Sequence, residues 1–181
     1  NVLNFNFNIK DNIEPVIKEI KISPKGEKSQ INKISQPKIF KAIGSKGNYV
    51  VQDPILVHGK ISLGIYTHDL LNGAKNKNGV YSIELIIDDN RIYMHEMDEF
   101  SFNETGYINS HIDYAEHQFS KKRIHSCYIQ PNNKLSIYND VKDEGTFNVD
   151  SIHSGEFIVK DIHGNISKIK FTLSDKIEVA K

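Results

Sequence analysis

Residues 68–102, HDLLNGAKNKNGVYSIELIIDDNRIYMHEMDEFSF, decide the fold. Tyr81, Ile83, Leu85 and Ile87 alternate with Ser82, Glu84, Ile86 and Asp88, the period of two that a strand with one buried face requires. Asp88, Asp89 and Asn90 predict a tight turn, because short acceptor side chains tolerate positive φ and bond their own backbone. Residues 91–97 then predict a return strand. The stretch reads as a β-hairpin module rather than as the wall of a catalytic pocket.

The same signals extend in both directions. Residues 54–67, PILVHGKISLGIYT, predict a long strand interrupted at Gly59 and Gly64, where a glycine marks a bulge or a close backbone approach. Residues 16–22 alternate and predict the first sandwich strand, and residues 39–43 and 49–51 predict short strands about the turn Gly44-Ser45-Lys46-Gly47. That GSKG lacks the GxxxxGK[ST] spacing of a phosphate loop. Residues 23–36 read as a polar surface loop, and Leu3, Phe5, Phe7 and Ile9 predict a strand or extended connector at the start. The chain opens on Asn1 rather than Met, which reads as a processed or trimmed product.

On the other side the period changes. Ile108, Ile112, Ala115 and Phe119 fall at i, i+4, i+7 and i+11, which predicts one amphipathic helix over about residues 104–119. Short apolar runs follow at 127–129 and 135–138. The closing module predicts a hairpin: Phe157 and Val159, the turn DIHGN at 161–165, then Ile169, Phe171 and Leu173. The expected fold is therefore mainly β, an antiparallel β-sandwich over residues 15–181 with one inserted amphipathic helix, preceded by an extended linker at 1–14; its closing hairpin is of the kind that immunoglobulin-like modules show.

At 181 residues the chain can bury a core without staples. Its 23 basic and 23 acidic residues cancel, which argues against a nucleic-acid partner, since phosphate backbones demand a basic face. The single cysteine, Cys127, has no partner for an internal disulfide. No segment approaches the roughly 18 apolar residues of a membrane span.

Eight histidines raise the question of a metal. On the expected helix Asp113 and His117 share a face while His111 points away, and two ligands do not make a zinc site. His95 lies beside Glu96 without an HExxH pattern and reads as part of the solvated face of an edge strand. His68-Asp69 and Asp161-Ile162-His163 suggest a serine-type triad, but no GxSxG elbow accompanies them. No catalytic residue and no metal ligand is assigned on these patterns. Tyr107 and Tyr114 lie one heptad apart, with Asn109 and Asp113 beside them. Tyr107, Asn109, Asp113, Tyr114 and His117 form the expected interaction surface, because tyrosine couples large contact area to a polar tip.

Four stretches, NFNIKDNIEPVI, LLNGAKNKNGVYSIELIIDDNRIY, DEFSFNETGYINSHIDYAEH and FIVKDIHGNISKIKFTL, resemble the C-terminal region of lysostaphin/LytM-type zinc peptidases of Bacteroidota. In that family the peptidase domain precedes a β-rich, immunoglobulin-like extension. The family's His-x-x-x-Asp pair and later His-x-His are both missing from this sequence, so no ligand or catalytic residue carries over. The resemblance implies a non-catalytic accessory domain of a zinc-dependent peptidoglycan endopeptidase, with no cofactor of its own and zinc in the parent peptidase domain. It implies a periplasmic or cell-envelope location, outer-membrane association included. The implied partner is the peptidase domain or an envelope protein, with peptidoglycan as a further candidate. Two rival readings are a glycan-binding module and a stand-alone structural subunit of an envelope assembly.

Overall fold

The computed structural model describes residues 10–99 and 101–176, and the protein is mainly β, as its alternation predicts. The strand or connector expected at residues 1–9 lies outside the described residues. Nine strands precede the helical insertion: β1 (Val16–Pro24), β2 (Gln30–Ile31), β3 (Lys38–Lys41), β4 (Ile43–Ser45), β5 (Asn48–Val50), β6 (Ile55–Leu70), β7 (Lys77–Asn78), β8 (Ser82–Ile87) and β9 (Asn90–Glu96). Five follow it: β10 (Ile124–Ser126), β11 (Tyr138–Val141), β12 (Thr146–Val149), β13 (His153–Lys160) and β14 (Ile166–Ser174).

Two ladders organise these strands. In one, β11, β9, β8, β13 and β14 pair antiparallel in that order, with β5 and then β4 beyond β14. The other is built on β6, which carries β1 on one edge and β10 and β12 on the other, while β3 extends β1. The first residues of β6 pair in parallel with the end of β14, Ile55 opposite Leu173, and this joins the ladders. The sheet is therefore mixed, with the parallel pairings confined to β14.

Both hairpins take the expected form. Asp88 and Asp89 have φ of 47° and 61°, the two left-handed positions of a two-residue turn whose twist matches its strands. In the closing turn the Asp161 carboxylate accepts from the backbone N–H groups of His163 and Asn165, both at 2.8 Å.

One core receives side chains from both ladders. Ile17, Ile20 and Ile22 of β1 and Ile61, Leu63 and Ile65 of β6 pack in one cluster with Ile83, Leu85, Phe157, Val159, Ile169 and Leu173. Each such side chain contributes roughly 1.5–3 kcal/mol by leaving water. Alternation in β1 is broken by a bulge between Ile17 and Glu19, and the extra residue brings Ile17 and Ile20 to the same face. The polar stretch expected as a surface loop at 23–36 includes β2, whose Ile31 is fully buried against β6.

The insertion corrects the single-helix expectation. It consists of a 3-10 turn (Phe102–Tyr107) and two short helices, α1 (Ile108–His111) and α2 (Tyr114–Ser120). Ile112 between them is extended, with φ −107° and ψ 144°, and forms an isolated antiparallel bridge with His125. Asp113 caps α2 by accepting from Glu116 N–H at 3.0 Å, and its own N–H donates to the Ile124 carbonyl at 2.9 Å. A short acid satisfies an exposed helix start better than a helix interior, and the bridge to β10 holds the break open. The expected apolar stripe is consequently not a buried face: Phe119 is 92% exposed.

Candidate metal centre

Three histidines from three separate elements meet inside the protein. His95 stands on β9, His111 ends α1, and His125 lies in β10. Each offers a ring nitrogen within 4.8 Å of the others. The ring centroids of His95 and His111 are 4.5 Å apart, those of His111 and His125 5.3 Å, and those of His95 and His125 6.1 Å.

Each position has a local cause. On β9, His95 sits opposite Ile83 and Tyr93 opposite Leu85, so both side chains share the core face of β8. A bulge after Leu85 puts Tyr93 and His95 in this phase. The solvated edge expected for His95 is therefore corrected: β9 is covered by β11 on its second side, and His95 has 0% exposure. His111, 1% exposed, is drawn inward because the next residue bridges to His125. His125 pairs with Ile65 of β6, next to the Ser126–Gly64 pair. A Cβ on Gly64 would stand 2.8 Å from the His125 carbonyl oxygen, so the glycine lets β10 approach.

The ring nitrogens divide into outward and inward sets. His95 Nδ1 meets Tyr93 Oη at 3.1 Å, and His111 Nδ1 meets Tyr138 Oη at 3.5 Å. Tyr138 Oη also accepts from Asn133 Nδ2 at 2.7 Å. With Nδ1–H donating to these phenols, Nε2 of both rings is left as an acceptor facing inward. His111 Nε2 and His125 Nδ1 lie 3.3 Å apart, and His95 Nε2 is buried with no hydrogen-bond partner among the described residues. A buried imidazole nitrogen without a partner carries an uncompensated desolvation cost, which a bound cation removes.

Electrostatics favour neutral rings. Burial drives His95 well below the ordinary histidine value, with the neighbouring imidazoles adding to the effect. Burial lowers His111 to about 3, helped by His125, and lowers His125 to about 4, helped by Arg123. Neutral imidazole is the form that ligates a metal. Burial lifts the Tyr138 phenol to about 12, so it remains a protonated partner for His111. Cys127 is fully buried beside the centre, but its thiol is directed at the His125 carbonyl at 3.8 Å and burial pushes its pKa up.

The expected interaction surface is distributed around this centre. Tyr107, Asp113 and His117 are half-buried, while Asn109 and Tyr114 are exposed. Asp113 is engaged as the α2 cap and in an ion pair with Lys21 Nζ at 2.8 Å, to which Glu116 adds a second at 2.9 Å. The His111, Asp113 and His117 grouping considered from spacing does not assemble, because the chain turns between His111 and Asp113. Of its members only His111 joins the histidine cluster. The readable clue was the phase of His95, which sits across the hairpin from Ile83 once the bulge is counted.

Fold and site define a mainly-β sandwich protein with a three-histidine centre, His95 and His111 buried and His125 half-buried, between its ladders and its helical insertion. No family model matches the chain, and no curated protein or solved structure matches it. No described helix is long and apolar enough to cross a membrane.

Proposed function

We propose that this protein is a metal-binding protein that holds one divalent ion of the zinc class through His95 Nε2, His111 Nε2 and His125 Nδ1. The observation that carries this reading is the buried His95 Nε2, partnerless among the described residues and turned toward two other neutral imidazoles. Three nitrogen donors suit zinc, cobalt or copper and leave a fourth position for a water or small ligand. The phenols of Tyr93 and Tyr138 supply the outer hydrogen bonds that orient ligating imidazoles. An ion here would tie β9, β10 and α1 together, linking both ladders to the insertion. Co2+ titration tests it: expected are the visible bands of a four-coordinate site at one equivalent, abolished by His95→Ala or His111→Ala. Failure of the wild-type protein to take up Co2+ or Zn2+ refutes it.

A second reading follows the resemblance to LytM-type peptidases. The chain would be an accessory domain that docks a peptidoglycan endopeptidase in the cell envelope through the insertion bearing Tyr107, Asn109, Asp113, Tyr114 and His117. The favouring observation is that Tyr114 is 59% exposed on the same short helix as the exposed Phe119. Large aromatics left in water are candidate contact residues. Retention on isolated peptidoglycan or on a purified LytM-type peptidase domain should fall in Tyr114→Ala/Phe119→Ala. Equal retention of wild type and variant counts against docking here.

A further inference from the structure

A second gathering of ligand-type side chains lies where the chain entering β1, the end of β6 and the β13–β14 turn meet. Asp69 in β6 is four residues beyond Ile65, the partner of His125, which places it roughly 13 Å along the strand from the histidine centre. Asp11, Asp161 and His163 each offer one ligand atom within 4.8 Å of the others.

The hydrogen bonds at this point leave acceptors over. Asp11 has a side chain with 0% exposure. Its Oδ1 accepts from the N–H groups of Ile13 at 3.3 Å and Asn72 at 3.2 Å. Its Oδ2 has no hydrogen-bond partner among the described residues and faces His163 Nδ1 at 3.8 Å. Asp161 is buried and spends Oδ1 on the turn, while Oδ2 accepts from Asn165 Nδ2 at 2.6 Å and keeps a lone pair. Asp69 is also buried, with Oδ1 unpartnered among the described residues. Burial, with the carboxylates of Asp161 and Asp11 nearby, lifts Asp69 to about 6.

Three carboxylates thus converge with no lysine or arginine ion pair to them among the described residues; His163 is the facing group that can carry positive charge. Buried carboxylates of like charge are retained when a cation or a proton compensates them. The buried, unpartnered Asp11 Oδ2 is aimed at the imidazole, and this marks the place of the missing positive charge. We propose that Asp11, Asp161 and His163 form a second metal site, with Asp69 balancing its charge, that takes a first-row divalent ion of the manganese class. An imidazole among carboxylates disfavours Ca2+, which gathers six to eight oxygens, and the carboxylate-rich set distinguishes this site from the all-imidazole one. The ion would clasp the chain entering β1 onto the closing hairpin, where Asn165 Nδ2 already donates to the Asp11 carbonyl at 3.3 Å.

Mn2+ is the probe, because the all-nitrogen centre binds it weakly, and loss of the free-ion electron paramagnetic resonance signal reports binding. The expected result is one equivalent bound by the full chain and by His95→Ala alike, weakened about tenfold or more in Asp11→Asn and His163→Ala. His163→Ala keeps the backbone N–H that closes the turn, so its fold is preserved. The same pattern is expected in the Mn2+-induced rise in Tm, equal in wild type and His95→Ala and smaller in the other two. No Mn2+ uptake by the wild type, or equal uptake and equal Tm shifts in all four proteins, overturns the proposal. Because His95→Ala is in the series, this outcome is independent of the histidine centre.

Discussion

Acidifying the metal-free protein should destabilise it steeply, and the buried histidines set the size of the effect. A histidine whose folded pKa lies below its unfolded value is neutral in the folded chain and charged in the unfolded one between those two values. Stability present above pH 6.5 is therefore lost as pH falls toward 4. His111 and His125 are lowered from 6.5 to about 3 and about 4, and His95 is lowered well below 6.5. At pH 5.5 the unfolded His111 and His125 each hold about 0.9 of a proton that the folded rings lack, so these two take up roughly 1.8 protons on unfolding, and His95 acts in the same direction. Integrated from pH 7.5, His111 and His125 together cost about 3 kcal/mol, and His95 adds to the loss. Asp69 acts in the opposite direction: raised from 3.8 to about 6, it binds its proton in the folded state and returns about 1 kcal/mol over the same interval. The net loss of about 2 kcal/mol, increased by His95, is a large share of the ~5–15 kcal/mol that holds a domain together. Urea unfolding followed by circular dichroism in EDTA at pH 7.5, 6.5 and 5.5 measures it. A stability that stays flat across this range, or no net proton uptake on unfolding at pH 5.5, would refute the neutral histidine cluster.

Four further outcomes are expected. Zn2+ at about a hundred times its Kd should add ~2.7 kcal/mol, a rise in Tm of roughly 5–10 °C. Tyr93→Phe should weaken that affinity about 10–100-fold by leaving His95 Nδ1 without its phenol, as isothermal titration calorimetry would show. Gly64→Ala should displace β10, because its Cβ would also stand 3.1 Å from Ile124 Cγ2. Co2+ affinity should then fall about tenfold or more while the far-UV spectrum is retained. Phe157→Ala, at a fully buried core position, should lower the unfolding free energy by about 3–5 kcal/mol in urea titration without removing the visible bands of bound Co2+.

The β class and both hairpins are legible along the chain. Alternation at residues 81–87, the Asp88-Asp89 turn and the DIHGN turn are local matters, set by side-chain period and by which residues tolerate positive φ. Gly64 was likewise legible as a point of close approach, though not what approaches it. The insertion was legible only in part, since a helical period at Ile108 and Ile112 cannot reveal that Ile112 is captured by His125 from β10. The candidate sites belong to the tertiary structure. His95, His111 and His125 follow no ligand spacing. They meet because a bulge sets the phase of β9, β11 covers its edge, and β10 crosses Gly64. Asp11 and Asp161 are 150 residues apart and meet only when the closing hairpin folds back on the entry to β1. Strand and turn are decided by neighbours along the chain, whereas ligand sets are decided by register between elements, which no single stretch of sequence encodes.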